Sequence, residues 1–231
     1  MVGMNEIAAY WDAAVSAFDD EPDHGLRDAR VRAAWARRLD DWIPSGAPGG
    51  ADVLDVGCGT GTLSVLLAER GHRVTGVDVA PRMVAAAEEK AEAAGVAVTF
   101  VVGDAAAPPV GAGRFDAVLA RHLLWTLPDP TAALRAWAGR LRPGGRLVLV
   151  EGRWRQSATA RPYVPEAAAL PWHGGVTATE LALAVTPLVE DISVEELDDD
   201  PDLWGKPVDD ERYALVARVP RQPRRGGEAD R

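Results

Sequence analysis

The sequence predicts an α/β fold, a doubly wound and mostly parallel sheet of seven strands, and three observations predict it. From Asp52 onward, short apolar runs alternate with helical patterns through short connections. A parallel sheet joined by right-handed crossovers is the arrangement that satisfies such alternation. A glycine-rich turn follows the first apolar run in "DVLDVGCGTGTLS", with Gly57, Gly59 and Gly61 at alternate positions. Two further apolar runs, "DISVEEL" and "RYALVARV", have no helical pattern between them and read as a closing hairpin, the last strand antiparallel.

Each element follows in order. In "NEIAAYWDAAVSAF", Ile7, Tyr10, Trp11, Ala14 and Phe18 share one helical face, and "DDEPDHG" breaks the pattern. Val31, Trp35, Leu39 and Trp42 mark a second amphipathic helix, and "PSGAPGG" is a loop. "ADVLDV" is the first strand, and "TLSVLLAERG" a helix ended at Gly71. "RVTGVDV" is the second strand, followed by a helix opened by Pro81 and closed at Gly95. "AVTFVVGD" and "FDAVLA" are the third and fourth strands. Asp129 and Pro130 then start a helix ending near "RPGG", and "RLVLVEG" is the fifth strand. The stretch from Arg153 to Gly175 is irregular; Thr177 and Glu180 form a capping box for one more helix. The tail from residue 220 lacks apolar content and is expected to be disordered. The expected organisation is one domain over 1–219: a helical lid (1–45), a ligand-binding core (51–152) and a variable insert with closing strands (153–219).

Composition narrows the classes. The 231 residues are 47% hydrophobic and 26% charged, enough for one domain with a full core. A formal net charge of -10 disfavours nucleic acid as partner, because phosphate binding needs a basic face. No apolar run reaches the length of a membrane span, and the N-terminus lacks the pattern of a signal peptide. The single cysteine, Cys58, fits a reducing compartment, so a cytoplasmic protein is expected, monomeric or homodimeric. The acidic run Glu190–Glu211 reads as a solvated rim.

The glycine turn departs from a dinucleotide fingerprint. Its third glycine comes one residue early, and Asp55 stands just before the turn, where a carboxylate repels a pyrophosphate and attracts an ammonium. A nicotinamide-dependent oxidoreductase is the alternative these departures count against. Asp55, Asp78 and Asp104 fall at the ends of three consecutive strands, so they meet in one crevice at the carboxyl edge of the sheet.

These residues carry a resemblance. "VLDVGCGTG", "VTGVDVAPRMVAAA", "VVGDAAAPP", "FDAVLARHLLWTLPDP" and "LRPGGRLVLVEG" resemble, in order, the motifs of class I S-adenosylmethionine-dependent methyltransferases, and most closely the small-molecule branch of the ubiquinone and menaquinone methyltransferases (methyltransferase type 11). The match runs from about Asp52 to Gly152. The resemblance implies S-adenosylmethionine as cofactor and S-adenosylhomocysteine as product, with a small-molecule acceptor methylated on O, N or C. It places Asp55 beside the methionine moiety, Asp78 on the ribose hydroxyls and Asp104 near the adenine amine. Gly57, Cys58, Gly59, Gly61, Val79, Met83, Gly103, Ala105 and Arg121 complete the expected cofactor site. A catalytically silent S-adenosylmethionine-binding protein is the second alternative. The Ala, Arg and Gly bias resembles that of high-GC bacterial genes, where such enzymes serve secondary metabolism.

A sulfonium methyl is already activated, so placement dominates and a base is needed only for a protonated acceptor. His122, after the fourth strand, is either that base or a packed structural histidine. His24 and His173 reach the pocket if their segments cover it, whereas His72 reads as structural. Arg121 is either a clamp for an anionic group or an arginine whose main chain alone meets the cofactor. Tyr10, Trp11, Phe18, Trp125 and Trp172, with Arg153, are the candidate acceptor-site residues; Trp35, Trp42 and Trp137 read as core. No metal ligands are expected.

Overall fold

The computed structural model describes residues 3–44, 49–154 and 165–221. Three helices come first: α1 (Met4–Phe18), α2 (Pro22–Gly25) and α3 (Ala29–Trp42). The break expected at "DDEPDHG" is therefore a helical turn of its own. Pro22 starts it, and Leu26 ends it in the left-handed region with φ 47°. Asp28 caps α3 by accepting from the N–H groups of Arg30 and Val31.

The sheet follows with β1 (Asp52–Val56), β2 (Arg73–Asp78), β3 (Val98–Val102), β4 (Phe115–Arg121), β5 (Leu141–Arg153), β6 (Asp191–Glu196) and β7 (Glu211–Arg218). The helices between them are α4 (Thr62–Glu69), α5 (Pro81–Ala94), α6 (Pro130–Arg140), α7 (Ala178–Val185) and the short α8 (Pro201–Trp204). Strand order is β3-β2-β1-β4-β5-β7-β6. The first five strands pair in parallel, and β7 runs antiparallel between β5 and β6, the closing hairpin expected from the sequence. The last residues of "LRPGG", expected in a helix end, belong instead to β5, whose first residue Leu141 pairs with Phe115. Of the expected irregular insert and tail, residues 155–164, with Arg155, and 222–231 lie outside the described residues.

Both faces of the sheet are dry. Leu54, Val56, Val118, Ala120, Leu147 and Leu149 pack on one side with Trp137 and Leu181. Val53, Leu119, Val148 and Val150 pack on the other with Trp35, Leu39, Leu67 and Trp204. Near-continuous apolar strands are what two covered faces demand. Three fully buried tryptophans satisfy their indole N–H on main-chain oxygens: Trp35 on Leu203 (2.8 Å), Trp137 on Ala105 (2.7 Å) and Trp204 on Leu197 (2.7 Å). His72 is buried too, its Nδ1 accepting from the Ala51 N–H at 3.1 Å, a structural role.

Strand order reverses between β1 and β4. There the carboxyl ends of neighbouring strands diverge under helices on opposite faces and leave a crevice. Over it lies α1, held by the Arg82 N–H on Asp12 (2.7 Å), the Thr60 hydroxyl on Asp19 (2.5 Å) and Lys90 on the same aspartate (2.8 Å).

Candidate functional site

The crevice holds a cavity of about 450 Å³, the size of a small-ligand site. One wall is main chain. After β1 the chain turns through Gly57 and Gly59, whose φ values of 69° and 54° favour glycine. The Gly57 and Cys58 N–H groups donate to the Val77 carbonyl at 2.8 and 3.1 Å, tying the turn to β2. A Cβ on Gly57 would stand 2.8 Å from a methyl of Leu123, so the turn admits no side chain there.

The acids sit along this wall. Asp55 is 3% exposed and accepts from the Ser64 hydroxyl at 2.6 Å. Burial pushes its carboxyl up to about 6, against the Ser64 bond and the charge of Arg121, which pull it down. Asp78 ends β2 and accepts from the Gly59 N–H and the Ala80 N–H, both at 2.9 Å. Burial raises its carboxyl as well, opposed by those backbone donors. Asp104 accepts from the Ala106 N–H at 2.8 Å. Cys58 faces the same space with its thiol pushed well up by burial and by Asp55 and Asp78, which leaves it protonated and a poor nucleophile.

The opposite wall is a row of rings. Trp11 meets Phe18 and Trp125 edge-on, with centroids 6.2 and 6.5 Å apart. Phe18 stacks on His24 at 4.4 Å, His24 faces His122 at 6.5 Å, and His122 meets Trp154 edge-on at 4.7 Å. Phe18 also lies 3.2 Å from where a Gly59 Cβ would stand, so the two walls touch at the end of α1.

The two imidazoles differ in how they are held. His24 Nδ1 lies 3.2 Å from the Phe18 carbonyl. A carbonyl only accepts, so Nδ1 carries the hydrogen and Nε2 keeps its lone pair. Burial, then Arg121, lowers its pKa, against Asp23. His122 has φ 52°, and among the described residues only Leu26 shares a positive φ without being glycine. Its Nε2 is buried with no hydrogen-bond partner, and burial, Arg121, His24 and Arg212 hold the ring neutral. The loop carrying it is fixed by Glu151, whose Oε1 accepts from the Leu123 and Leu124 N–H groups at 2.9 Å each. Glu151 is itself fully buried, and burial pushes it up to about 7.

Arg121 is half-buried, its guanidinium 4.9 Å over Trp35 and donating to the Asp23 carbonyl. Burial lowers its pKa, opposed by Asp23, Asp55 and Asp19. Arg121 is among the residues that line the cavity.

Of the residues singled out from the sequence, Asp55, Gly57, Cys58, Gly59, Asp78, Val79, Met83, Asp104, Ala105 and Arg121 line the cavity with His24, His122, Trp11, Phe18 and Trp125. The others do not. Gly61 is the left-handed N-cap of α4 and packs on Ala87, while Gly103 packs on Pro109. His173 donates its main-chain N–H to Leu170 away from the cavity, and Trp172 packs with the core under α7. Arg153 pairs with Glu180 at 3.2 Å and bridges to Gly175, because β5 turns it toward the capping box of α7. Tyr10 is 40% exposed, its ring 5.0 Å from Trp11 on the outer side of α1.

Sequence reasoning missed Asp23, Trp154, Lys206, Asp210 and Arg212, all in the cavity wall. The run read as a solvated rim thus contributes two of them, Lys206 and Asp210, and Arg212 follows just past its end, paired with Asp210 at 2.7 Å and stacked on Trp204 at 4.4 Å. The excess of tryptophan over other aromatics pointed toward Trp154, and the pairing of Asp23 with His24 in "DDEPDHG" was the other available signal.

Sheet order, glycine turn and strand-end acids define a nucleoside-binding α/β protein. Residues 54–149 match the family model described as a methyltransferase domain. A ubiquinone biosynthesis O-methyltransferase of Xanthomonas axonopodis pv. citri (strain 306) is 41% identical over 143 residues, 61% of this chain and 54% of that protein. The chain thus spans about half the length of the curated relatives it matches. The N-methyltransferase NodS from Bradyrhizobium japonicum WM9, solved with S-adenosylhomocysteine, is 18% identical, with a TM-score of 0.65 over 91% of this chain and 98% of that one. A structure from work on conversion of a disulfide bond into a thioacetal group during echinomycin biosynthesis is 25% identical, with a TM-score of 0.60 over 83% of this chain and 82% of that one. Residues 54–149 are those of a methyltransferase domain, and the class the chain is similar to is the class I methyltransferases, whose cofactor is S-adenosylmethionine. The nicotinamide alternative is thereby set aside. No helix among the described residues is long and apolar enough to cross a membrane.

Proposed function

We propose that this chain uses S-adenosylmethionine to methylate an oxygen of a small, planar acceptor held on the aromatic side of the cavity. The two-sided cavity carries the reading: an acidic main-chain wall meets an aromatic wall that bears two imidazoles. The acidic wall suits the cofactor. Asp55 is placed for the ammonium, Asp78 for the ribose diol and Asp104 for the adenine amine. The Asp78 oxygens each accept one backbone N–H and keep a second lone pair for a hydroxyl. When bound, the cofactor supplies an electrophilic methyl group on a sulfonium.

The chain's own contribution is then position and dryness. The N-terminal helices supply the cover, α1 and α2 bringing Trp11, Phe18 and His24 over the glycine turn. Trp11, Phe18, Trp125 and Trp154 offer flat apolar faces, and His24 and His122 place imidazole nitrogens where the acceptor's hydroxyl would lie. Oxygen as the reacting atom agrees with the name of the curated relatives.

The test is production of S-adenosylhomocysteine from a panel of phenolic acceptors, each paired with its methyl ether. Product from the free phenols alone supports the reading. Tight S-adenosylhomocysteine binding without product from any phenol would overturn it and leave a silent cofactor-binding protein.

A further inference from the structure

Asp23, His24 and His122 come from segments nearly a hundred residues apart, yet each points one ligand atom into a common space, and these atoms all lie within 4.8 Å of one another. The Asp23 carboxylate and His24 Nε2 are 3.8 Å apart. A tetrahedral zinc site, with bonds of about 2.0–2.2 Å, needs its ligand atoms roughly 3.3 Å apart, so closure requires movement on the order of 1 Å. The space faces the cavity, since all three residues line it.

We propose that Asp23, His24 and His122 hold one divalent transition metal, zinc in the first place, with a fourth position open to the cavity for an acceptor's oxygen.

Three observations carry this. His122 Nε2 is a fully buried acceptor with nothing to bond, an arrangement that costs free energy unless a ligand completes it. His24 is oriented as metal-bound histidines are, its Nδ1–H on a backbone carbonyl and its Nε2 lone pair turned to the cluster. Two imidazoles and a carboxylate with one position free form the donor set of catalytic zinc sites, and imidazole selects transition ions over magnesium.

The local charge permits a dication. Arg121 is the cation that acts most strongly on both imidazoles, and the carboxylates of Asp23, Asp55 and Asp19 act on it in turn. Glu21 also lines the cavity, and the guanidinium of Arg212 is paired with Asp210. Both imidazoles are held neutral, the form that ligates.

The placement of an acceptor on this ion rests on the function proposed above; binding of the ion does not. The experiment therefore reads the metal alone. The full chain, stripped with chelator, is titrated with Co²⁺ as a spectroscopic probe and then with Zn²⁺. One equivalent should give the visible absorption of a four-coordinate nitrogen–oxygen site, lost on adding Zn²⁺. His24→Gln and His122→Asn should each weaken binding by more than the roughly 10–100-fold that outer-shell changes cost. Asparagine tolerates the left-handed backbone at position 122, so that variant keeps the loop, and retained S-adenosylhomocysteine binding verifies its fold. Asp78→Ala should bind Co²⁺ as the parent does even when its cofactor affinity is lost. Absence of stoichiometric Co²⁺ binding, or an unchanged spectrum in both histidine variants, overturns the proposal whatever the methylation assay returns.

Discussion

The two walls of the cavity are built by opposite means. The acidic wall comes from one stretch, residues 55–106, in which the backbone does the holding: Asp78 accepts from Gly59 and Ala80, and Val77 accepts from the turn. The aromatic wall is gathered from four separate places, α1–α2, the loop after β4, Trp154 and residues 206–212, and is held largely by ring contacts. A wall made of backbone tolerates little change, because an orphaned buried N–H costs about 1–3 kcal/mol. A wall made of side chains can be altered one ring at a time. The cofactor side should therefore be brittle and the acceptor side adjustable.

The largest effect that tests this contrast is at Asp78. Asp78→Ala should weaken S-adenosylhomocysteine binding at least tenfold, the loss of a charge-assisted pair of hydrogen bonds worth roughly 1.5–3 kcal/mol. It should also lower the melting temperature, since the Gly59 and Ala80 N–H groups lose their acceptor. Calorimetry and thermal melts check both, and an unchanged affinity would break the contrast at its stronger side.

Next comes a backbone bolt of the aromatic wall. Glu151 holds the loop of His122 through two N–H groups, and its carboxyl sits at about 7, above the ordinary glutamate value. A folded state that keeps a proton the unfolded chain has released is stabilised at low pH and loses that stability as pH rises toward 7. Asp55, at about 6, adds to the same slope over a lower window. The ligand-free protein should thus lose on the order of 1–3 kcal/mol between pH 4.5 and 7. Glu151→Gln, which retains an acceptor for both N–H groups, should flatten the upper part of that slope in denaturant titrations. A slope identical to the parent's would show that Glu151 is not the group responsible.

Asp55 provides a third, smaller effect with the opposite sign. A cationic ligand beside it favours the ionised carboxylate, so binding must expel its proton below about pH 6. S-adenosylmethionine affinity should rise about tenfold from pH 5 to 7 and then level. Asp55→Asn should bind weakly and without that dependence.

How much of this was legible follows the same division. The strands and the acids at the sheet's edge are written in contiguous apolar runs and in the turn "DVGCGTG", where local pattern and final position coincide. Asp55, Asp78 and Asp104 stand at strand ends, and a strand end is readable from periodicity. The aromatic wall depends on tertiary placement. His24 and His173 look alike in sequence, each in a Gly-containing break, yet α2 folds back beneath α1 and brings in His24, while His173 stays on the turn leading to α7. Arg153 and Arg212 face each other in the β5–β7 register within one residue, and only Arg212 enters the cavity. Which side of a strand end turns inward is decided by twist and by the partner across it, here Glu180 for Arg153 and Trp204 for Arg212.

The smallest expected effect falls at Trp154, which touches His122 edge-on and lies 5.5 Å from the Arg212 guanidinium. Each such contact is worth about 0.5–1.5 kcal/mol, so Trp154→Ala should raise the acceptor KM roughly 3–10-fold. It should leave S-adenosylhomocysteine affinity within twofold, because no part of the glycine turn rests on it. Those two readings, taken on the same preparation, separate a modular wall from a shared one. If removing this ring weakened the nucleoside as much as the acceptor, the two walls would be one cooperative unit, and the division of labour drawn between them would not hold.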